Sequence, residues 1–362
     1  MRFALFFLLY GAVQFYCAAK TVHGLGLTGP GRGFAYGWAL LMTVGPLLVW
    51  QLERCADCHI PSVVAAWIVF GWMGFAFMFF SAGLVLDLYG GIARLTHLPR
   101  PDAAQAYIGL TVFVTALWIM GFHSAWNPRI EHLTIQSDKI PAQADGLRIV
   151  QISDVHLGVL IGRQRLVGLL TEIDALKPDI LVSTGDLVDA QAHYLDGLSS
   201  VFAAYTPRYG KFAVTGNHES YVGLEHSLAF HERSGFRLLR GDSVDVAGIT
   251  LAGVDDPAVI GGSIGEAKFL NDISPGRMVI LLKHQPRIDP DARLDLQLSG
   301  HTHNGQIFPF NFLVKWVYPM IQGRYPLDNG GQLYVSRGTG TWGPPIRVFA
   351  APEITLIELK RR

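Results

Sequence analysis

Cysteine is nearly absent from this chain of 362 residues: there are three, Cys17, Cys55 and Cys58, and none follows position 58. Everything beyond that point is without a disulfide framework, a thiolate nucleophile or a cysteine-based metal site. Charge is also scarce, at 16% of residues, where a globular domain carries roughly 25%. The 29 Lys and Arg balance the 29 Asp and Glu, and no basic run occurs. That excludes nucleic acid as the default partner. Internal repeats and low-complexity segments are missing as well. What is abundant is apolar: 50% of residues are hydrophobic, and the mean hydropathy is +0.30.

The apolar excess lies before about residue 126 and forms four runs, 3–19, 34–52, 63–88 and 103–122, none with an internal Lys or Arg. Each approaches or exceeds the roughly 20 residues that cross a bilayer as a helix. Gly45, Pro46, Gly71 and Gly74 sit inside them, and Tyr36, Trp38, Trp50, Tyr89, Tyr107 and Trp126 lie near their ends. Both features suit membrane helices with an interfacial aromatic belt. A cleaved signal peptide is the alternative for run 3–19, but it lacks a small-x-small site and three further runs follow it. Asp87, at the end of its run, is the one acidic residue within them, which argues against a transporter.

Orientation follows from the basic residues. Lys20, Arg32, Arg94 and Arg100 flank the first and third connections, against Arg2, Arg54 and Arg129 on the other side. The positive-inside rule leans towards cytoplasmic first and third connections, with both termini extracytoplasmic. The second connection holds Cys55-Ala56-Asp57-Cys58-His59, a C-x-x-C-H pattern of the haem-attachment type. A connection of about ten residues is too short to wrap a haem, so a disulfide, an adventitious metal site or no special role remain open.

Residues 127–146 read as a connector, and from about 147 to 362 the pattern becomes strand, loop and helix. Apolar strands are expected at 147–152, 180–182, 211–214, 279–282 and 296–298, with further strands at 332–336 and 348–359. Leu166, Leu169, Leu170 and Ile173 have helical spacing within 163–176. The late strands, with few helical breaks, point to a mixed α/β sheet architecture. The loops that end the strands carry the chemistry: Asp154-Val155-His156, Gly185-Asp186 with Asp189, Gly216-Asn217-His218-Glu219, His284, and Gly300-His301-Thr302-His303. Strand carboxyl ends are where open α/β sheets gather loops into one crevice.

Asp154 and His156, two apart in an extended segment, face the same way. The Asp186 carboxylate has two oxygens and is able to bridge two cations. Asn217 offers an amide oxygen, and His284, His301 and His303 offer imidazole nitrogens. Mixed nitrogen and oxygen donors suit Mn, Fe, Zn, Ni or Co better than Ca or Mg. Two divalent ions bring four positive charges and Asp154 with Asp186 remove two. The remaining charge holds a phosphate ester and acidifies a bridging water, favouring in-line attack on phosphorus by metal-bound hydroxide. His218 is the candidate proton donor to the leaving group. Asp189 and Glu219 are candidates for orienting the imidazoles by hydrogen bonding.

Taken together, D-x-H, G-D-x-x-D, G-N-H-E, the isolated His and G-H-T-H resemble the motif set of the calcineurin-like metallophosphoesterase superfamily, over about 147–359. Gly300 to Gln306, Ser336 to Gly340 and Gly343 to Arg347 further resemble its membrane-associated branch, typified by bacterial cell-envelope phosphodiesterases. The resemblance implies a four-layer α/β/β/α sandwich. It implies Asp154, His156 and His303 on a first metal, Asn217, His284 and His301 on a second, Asp186 between them and His218 as acid. One departure is Asn304, where that branch has Gly. Asn tolerates a left-handed backbone, so the turn is expected to survive, with Asn304 as a candidate substrate contact.

Residues 308–325 are rich in Phe, Trp and Tyr and carry only Lys315 and Arg324 as charges. They read either as an insertion packed on the domain core or as an apolar rim at the membrane interface. Arg347, after Pro344-Pro345, is a candidate phosphate contact or a structural ion pair. The expectation is a membrane-anchored phosphodiesterase or pyrophosphatase for a lipid-linked phosphoester. An anchored enzyme for soluble phosphoesters, or a transporter or sensor with a regulatory metal-binding domain, are the alternatives. Oligomeric state has no signature in the sequence.

Overall fold

The computed structural model describes residues 2–262 and 265–362. Two compact units emerge, and they do not follow a single cut in the sequence. One comprises residues through Ser124 together with Ile307–Pro309 and Gly343–Phe349, and the other comprises Ala125–Gln306, Phe310–Trp342 and Ala350–Arg362.

The first unit is built on α1 (Arg2–Gly24), α2 (Gly29–Glu53), α3 (His59–Thr96) and α4 (Ala103–Trp126), four helices long and apolar enough to cross a membrane. A lipid-facing backbone must satisfy its amides internally, which these helices do. They outrun the apolar runs that mark them, because hydropathy registers the lipid-facing part and the polar flanks continue the helix. At 38 residues, α3 is about 57 Å long, well beyond a ~30 Å hydrocarbon core. Cys55 and Cys58 form a disulfide between α2 and α3, with Cα atoms 5.2 Å apart. This resolves the C-x-x-C-H pattern in favour of a structural bridge.

The two late segments complete this unit. Ile307, Ile346 and Val348 join a core with Ala76, Phe79 and Val114. The Phe308 amide donates to Val348 O at 3.1 Å, and the Arg347 amide donates to Gly121 O at 2.9 Å. The strand expected from 348 therefore starts only at Glu353. Residues just before it pair with Ile307 and are drawn into the helical core.

The second unit contains two six-stranded sheets. The first has β1 (Arg129–Ser137), β2 (Arg148–Ile152), β3 (Ile180–Ser183), β4 (Lys211–Ala213) and β5 (Phe236–Leu238), with the last strand, β12 (Glu353–Arg361), between β1 and β2. Its pairs are parallel except β12 with β2. The second sheet has β6 (Asp242–Val246), β7 (Ile249–Gly253), β8 (Val279–Leu282), β9 (Leu296–Ser299), β10 (Gly323–Pro326) and β11 (Gln332–Val335), in the order β10-β11-β9-β8-β7-β6. Its edge strands β6 and β10 are antiparallel and the inner pairs parallel. Strand β1 falls in the segment read as a connector. As an edge strand with apolar residues at only Ile130, Leu133 and Ile135, it has no continuous buried run to betray it.

Alternation along each strand assigns the layers. Ile149, Ile180 and Val182 meet Leu251, Ile280, Leu282 and Leu296 in the core between the sheets. Their neighbours Val150 and Leu181 point the other way. There they are covered by α5 (Arg163–Ala175), α6 (Leu198–Ala203) and α8 (Leu224–Arg233), which follows the short α7 (Asn217–Val222). On the outer face of the second sheet, Val279 and Leu281 pack with Leu270 of α10 (Ala267–Leu270), which follows α9 (Pro257–Ile260). A last helix, α11 (Asn311–Val317), precedes β10.

Candidate metal centre

Five loops leave the carboxyl ends of β2, β3, β4, β8 and β9, and they bring the expected ligands together. Three come from the first sheet and two from the second, so the site sits where the two sheets' strand ends converge. The backbone there is unusual. Asp154, His156, Asp186, His301 and His303 have φ of 52°, 54°, 51°, 71° and 49°. A left-handed backbone costs a non-glycine residue of order 1 kcal/mol. Five such residues on one site show local strain held by the surrounding fold. Asn304, at φ 49°, is left-handed too, so the turn survives as its chemistry suggests.

Close approach explains Gly300. A Cβ there would stand 1.9 Å from Ser153 Oγ and 2.2 Å from Asp154 Oδ2. Glycine thus lets the β9 loop press on the β2 loop, and the His301 amide then donates to both Asp154 oxygens at 3.0 Å.

Among the described residues the candidate donors fall into three overlapping groups: Asp154, His156 and His303; Asp186, His284 and His301; and His156, Asp189 and His218. In the first, His156 Nε2 lies 3.1 Å from His303 Nε2, and His303 Nε2 lies 3.4 Å from Asp154 Oδ1. In the second, His284 Nε2 lies 3.2 Å from Asn217 Oδ1, 3.2 Å from Asp186 Oδ2 and 3.1 Å from His301 Nδ1. The same Asp186 Oδ2 is 3.9 Å from His156 Nε2, and so faces both of these groups. Asp154, Asp186, Asn217, His284 and His303 are all buried.

These positions fit cations on chemical grounds. His284 Nδ1 donates to Thr184 O at 2.8 Å, so its Nε2 faces the oxygens of Asn217 and Asp186 and a nitrogen of His301. That donor set would suit a cation in place of the imidazolium proton. Burial opposes charge on His284, yet Asp186 raises its pKa well above the usual imidazole value. Burial likewise opposes ionisation of Asp186, but His284 and His218 hold its carboxyl well below the carboxylate range. His301 goes the other way: burial, reinforced by His284, pushes it down to about 3, so it presents a neutral nitrogen.

His218 lies beside this cluster. Its amide donates to Asp186 Oδ1 at 2.8 Å, and its Nδ1 is 2.6 Å from Asp189 Oδ1. Burial lowers its pKa, but Asp189 and then Asp186 override that and raise it to about 9. Asp189 also faces His156 Nδ1 at 3.3 Å, too poorly aligned to count as a hydrogen bond. Asp189 thus stands against both the His218 and the His156 rings. Glu219 does something different. Its carboxylate accepts from the amides of Asp186 (3.0 Å), Leu187 (2.8 Å), Val188 (3.3 Å) and Gly216 (2.6 Å). It ties the β3 loop to the start of α7 because both loops aim unpaired N–H groups at one buried point. Arg347, the candidate phosphate contact, is wholly buried in the helical unit.

Tyr318 went unmarked in the sequence. Its hydroxyl is 3.0 Å from His301 Nε2 and donates to Gln285 Oε1 at 3.1 Å. It lies in an apolar run with no motif around it, so only the fold discloses it.

The family model for calcineurin-like phosphoesterases matches residues 147–305. An uncharacterized metallophosphoesterase of Aquifex aeolicus is 39% identical over 242 residues, covering 64% of this chain and 92% of that protein. A transmembrane protein with metallophosphoesterase domain from Danio rerio is 33% identical over 306 residues, 76% of this chain and 70% of that one. An uncharacterized metallophosphoesterase of Helicobacter pylori is 29% identical over 343 residues, 90% of each. The strand-end ligand groups and these relatives lead to one conclusion: the chain belongs to the calcineurin-like metallophosphoesterase family, as a metal-dependent phosphoester hydrolase joined to candidate membrane helices.

Proposed function

We propose that this protein is a membrane-anchored, two-metal phosphoesterase that cleaves a phosphodiester or pyrophosphate bond of a lipid-linked substrate on the extracytoplasmic side. The observation that carries the two-metal reading is Asp186 Oδ2, which faces His284 Nε2 at 3.2 Å and His156 Nε2 at 3.9 Å. Asp154, His156 and His303 would hold one ion, Asn217, His284 and His301 the other, with Asp186 common to both. Mn, Fe, Zn, Ni and Co all suit this donor set. When bound, two such ions supply Lewis acidity at phosphorus and acidify a water between them.

The chain's own groups do the rest. Asp189 holds His218 by Nδ1, which leaves Nε2–H to protonate a leaving oxygen. Glu219 fixes the loops that carry Asp186 and Asn217. Asn304, buried in the same turn as His303, is a candidate contact for substrate. An anchored hydrolase meets lipid-linked phosphoesters in two dimensions, which favours them as substrates. The Cys55–Cys58 disulfide supports the extracytoplasmic side, because such bonds persist in oxidising compartments. Two spans separate that bridge from the hydrolase unit, so they share a side, in agreement with the positive-inside count.

The test is hydrolysis by the purified full chain in detergent with Mn. Bis(p-nitrophenyl) phosphate and a lipid phosphodiester in mixed micelles are compared, beside Asp186→Asn. Preference for the lipid diester and loss in the variant are expected. Equal or better use of the soluble diester would leave an anchored hydrolase for soluble substrates. No hydrolysis by either protein would sink the enzymatic reading.

A further inference from the structure

Helix α11 is amphipathic in the wrong sense for a water-soluble domain. Phe312, Leu313, Trp316 and Val317 occupy adjacent turns of one face and are 64%, 58%, 85% and 59% exposed. Asn311, Val314 and Tyr318, on the other side, are half-buried. The face with the larger apolar side chains thus points away from its own domain, where ordinary burial would turn it inward. The charges nearby are of one sign. Lys315 and Arg324 are present, and no acidic residue occurs from 308 to 327.

The helix is clamped to the metal turn at both ends. At its start, a Cβ on Gly305 would stand 2.3 Å from Asn311 Cα. At its end, the Tyr318 amide donates to Val314 O at 2.8 Å, and the Tyr318 hydroxyl meets His301 Nε2 at 3.0 Å. Three residues on, Ile321 O accepts from Thr302 Oγ1 at 2.7 Å.

We infer that the outward face of α11 docks into the headgroup layer of an anionic bilayer, and that this contact steadies Tyr318 against His301. The occupant is argued from three observations. The chain carries four membrane-length helices. The ridge combines Trp and bulky aliphatics, which settle at the hydrocarbon boundary, with cations that attract anionic lipid. No acidic residue within 308–327 opposes that attraction. A protein partner would have to compete with a bilayer to which the chain is already anchored. This inference rests on the membrane-anchored reading of the site but not on the identity of its substrate. Tyr318 is a positioning residue in it, acting through His301.

The experiment reconstitutes the full chain in nanodiscs, with an environment-sensitive fluorophore on Trp316→Cys in a Cys17→Ser background. A control carries the same label at the exposed Glu232→Cys on α8. Strong quenching of the 316 label by spin-labelled lipid, greater in discs containing phosphatidylglycerol than in pure phosphatidylcholine, is expected, with the 232 label unquenched. A 316 label no more quenched than the 232 label overturns the proposal. So does a 316 label screened from aqueous iodide yet untouched by lipid quencher, since a protein then covers the ridge. The coupling is read with soluble bis(p-nitrophenyl) phosphate. Anionic discs should raise kcat for the native chain and for Tyr318→Trp less or not at all, with KM little changed. Equal stimulation of both would overturn the coupling. The quenching arm needs no turnover, so it is decided even where the substrate reading fails.

Discussion

Replacing Glu219 by Gln tests how the centre is held. The native carboxylate accepts four amides, two on each oxygen: Leu187 and Val188 on Oε1, Asp186 and Gly216 on Oε2. Glutamine has nearly the same shape, but one of its two ends is an NH2 that cannot accept. Either orientation strands two buried N–H donors and points further N–H groups at them. Each stranded donor costs about 1–3 kcal/mol, so the variant should lose ~2–6 kcal/mol. For a unit of this size that corresponds to a fall in Tm of about 5–20 °C. Because the donors sit on Asp186 and beside Asn217, metal content should fall along with Tm. The assay is a thermal melt of the purified chain in detergent, with metal measured by mass spectrometry and hydrolysis on the same sample. If Tm and metal content both stay native while activity alone drops, Glu219 acts on an imidazole or on substrate, and the backbone account is wrong.

Other outcomes follow from the same geometry. Asp189→Asn removes the carboxylate that most raises His218, whose pKa stands at about 9. A general acid must be protonated, so activity falls as pH rises through its pKa. The variant's basic limb should therefore move to lower pH, and an unmoved limb would remove His218 from the acid role. Gly300→Ala brings a methyl to 1.9 Å from Ser153 Oγ, so bound metal and hydrolysis should both drop steeply; native metal content would show that the β9 loop moves aside freely. In intact cells, a membrane-impermeant maleimide should label Cys55 and Cys58 once an impermeant phosphine has reduced them. Labelling only after permeabilisation would place the hydrolase unit on the cytoplasmic side.

Much of the centre was legible because ligand chemistry is local in sequence. Asp154, His156, Asp186, Asn217, His284, His301 and His303 each follow a short apolar run, and buried parallel strands announce themselves as such runs. The four membrane-length helices were legible for a similar reason, since a span of lipid demands an uninterrupted apolar stretch. Strand β1 was not, because an edge strand buries too few residues to stand out. Nor were Ile307–Pro309 and Gly343–Phe349 recognisable as parts of the helical unit, because their partners lie some two hundred residues away. Residue types alone could name Glu219 as a neighbour of the ligands, but its actual partners are backbone amides of two separate loops. Tyr318 and the outward face of α11 are the clearest case. Composition marks the segment as apolar, and only the folded chain decides which side of a helix faces out. The candidate donors were thus written in the sequence, while their packing, their hydrogen-bonded support and their link to an exposed ridge depend on contacts between distant residues.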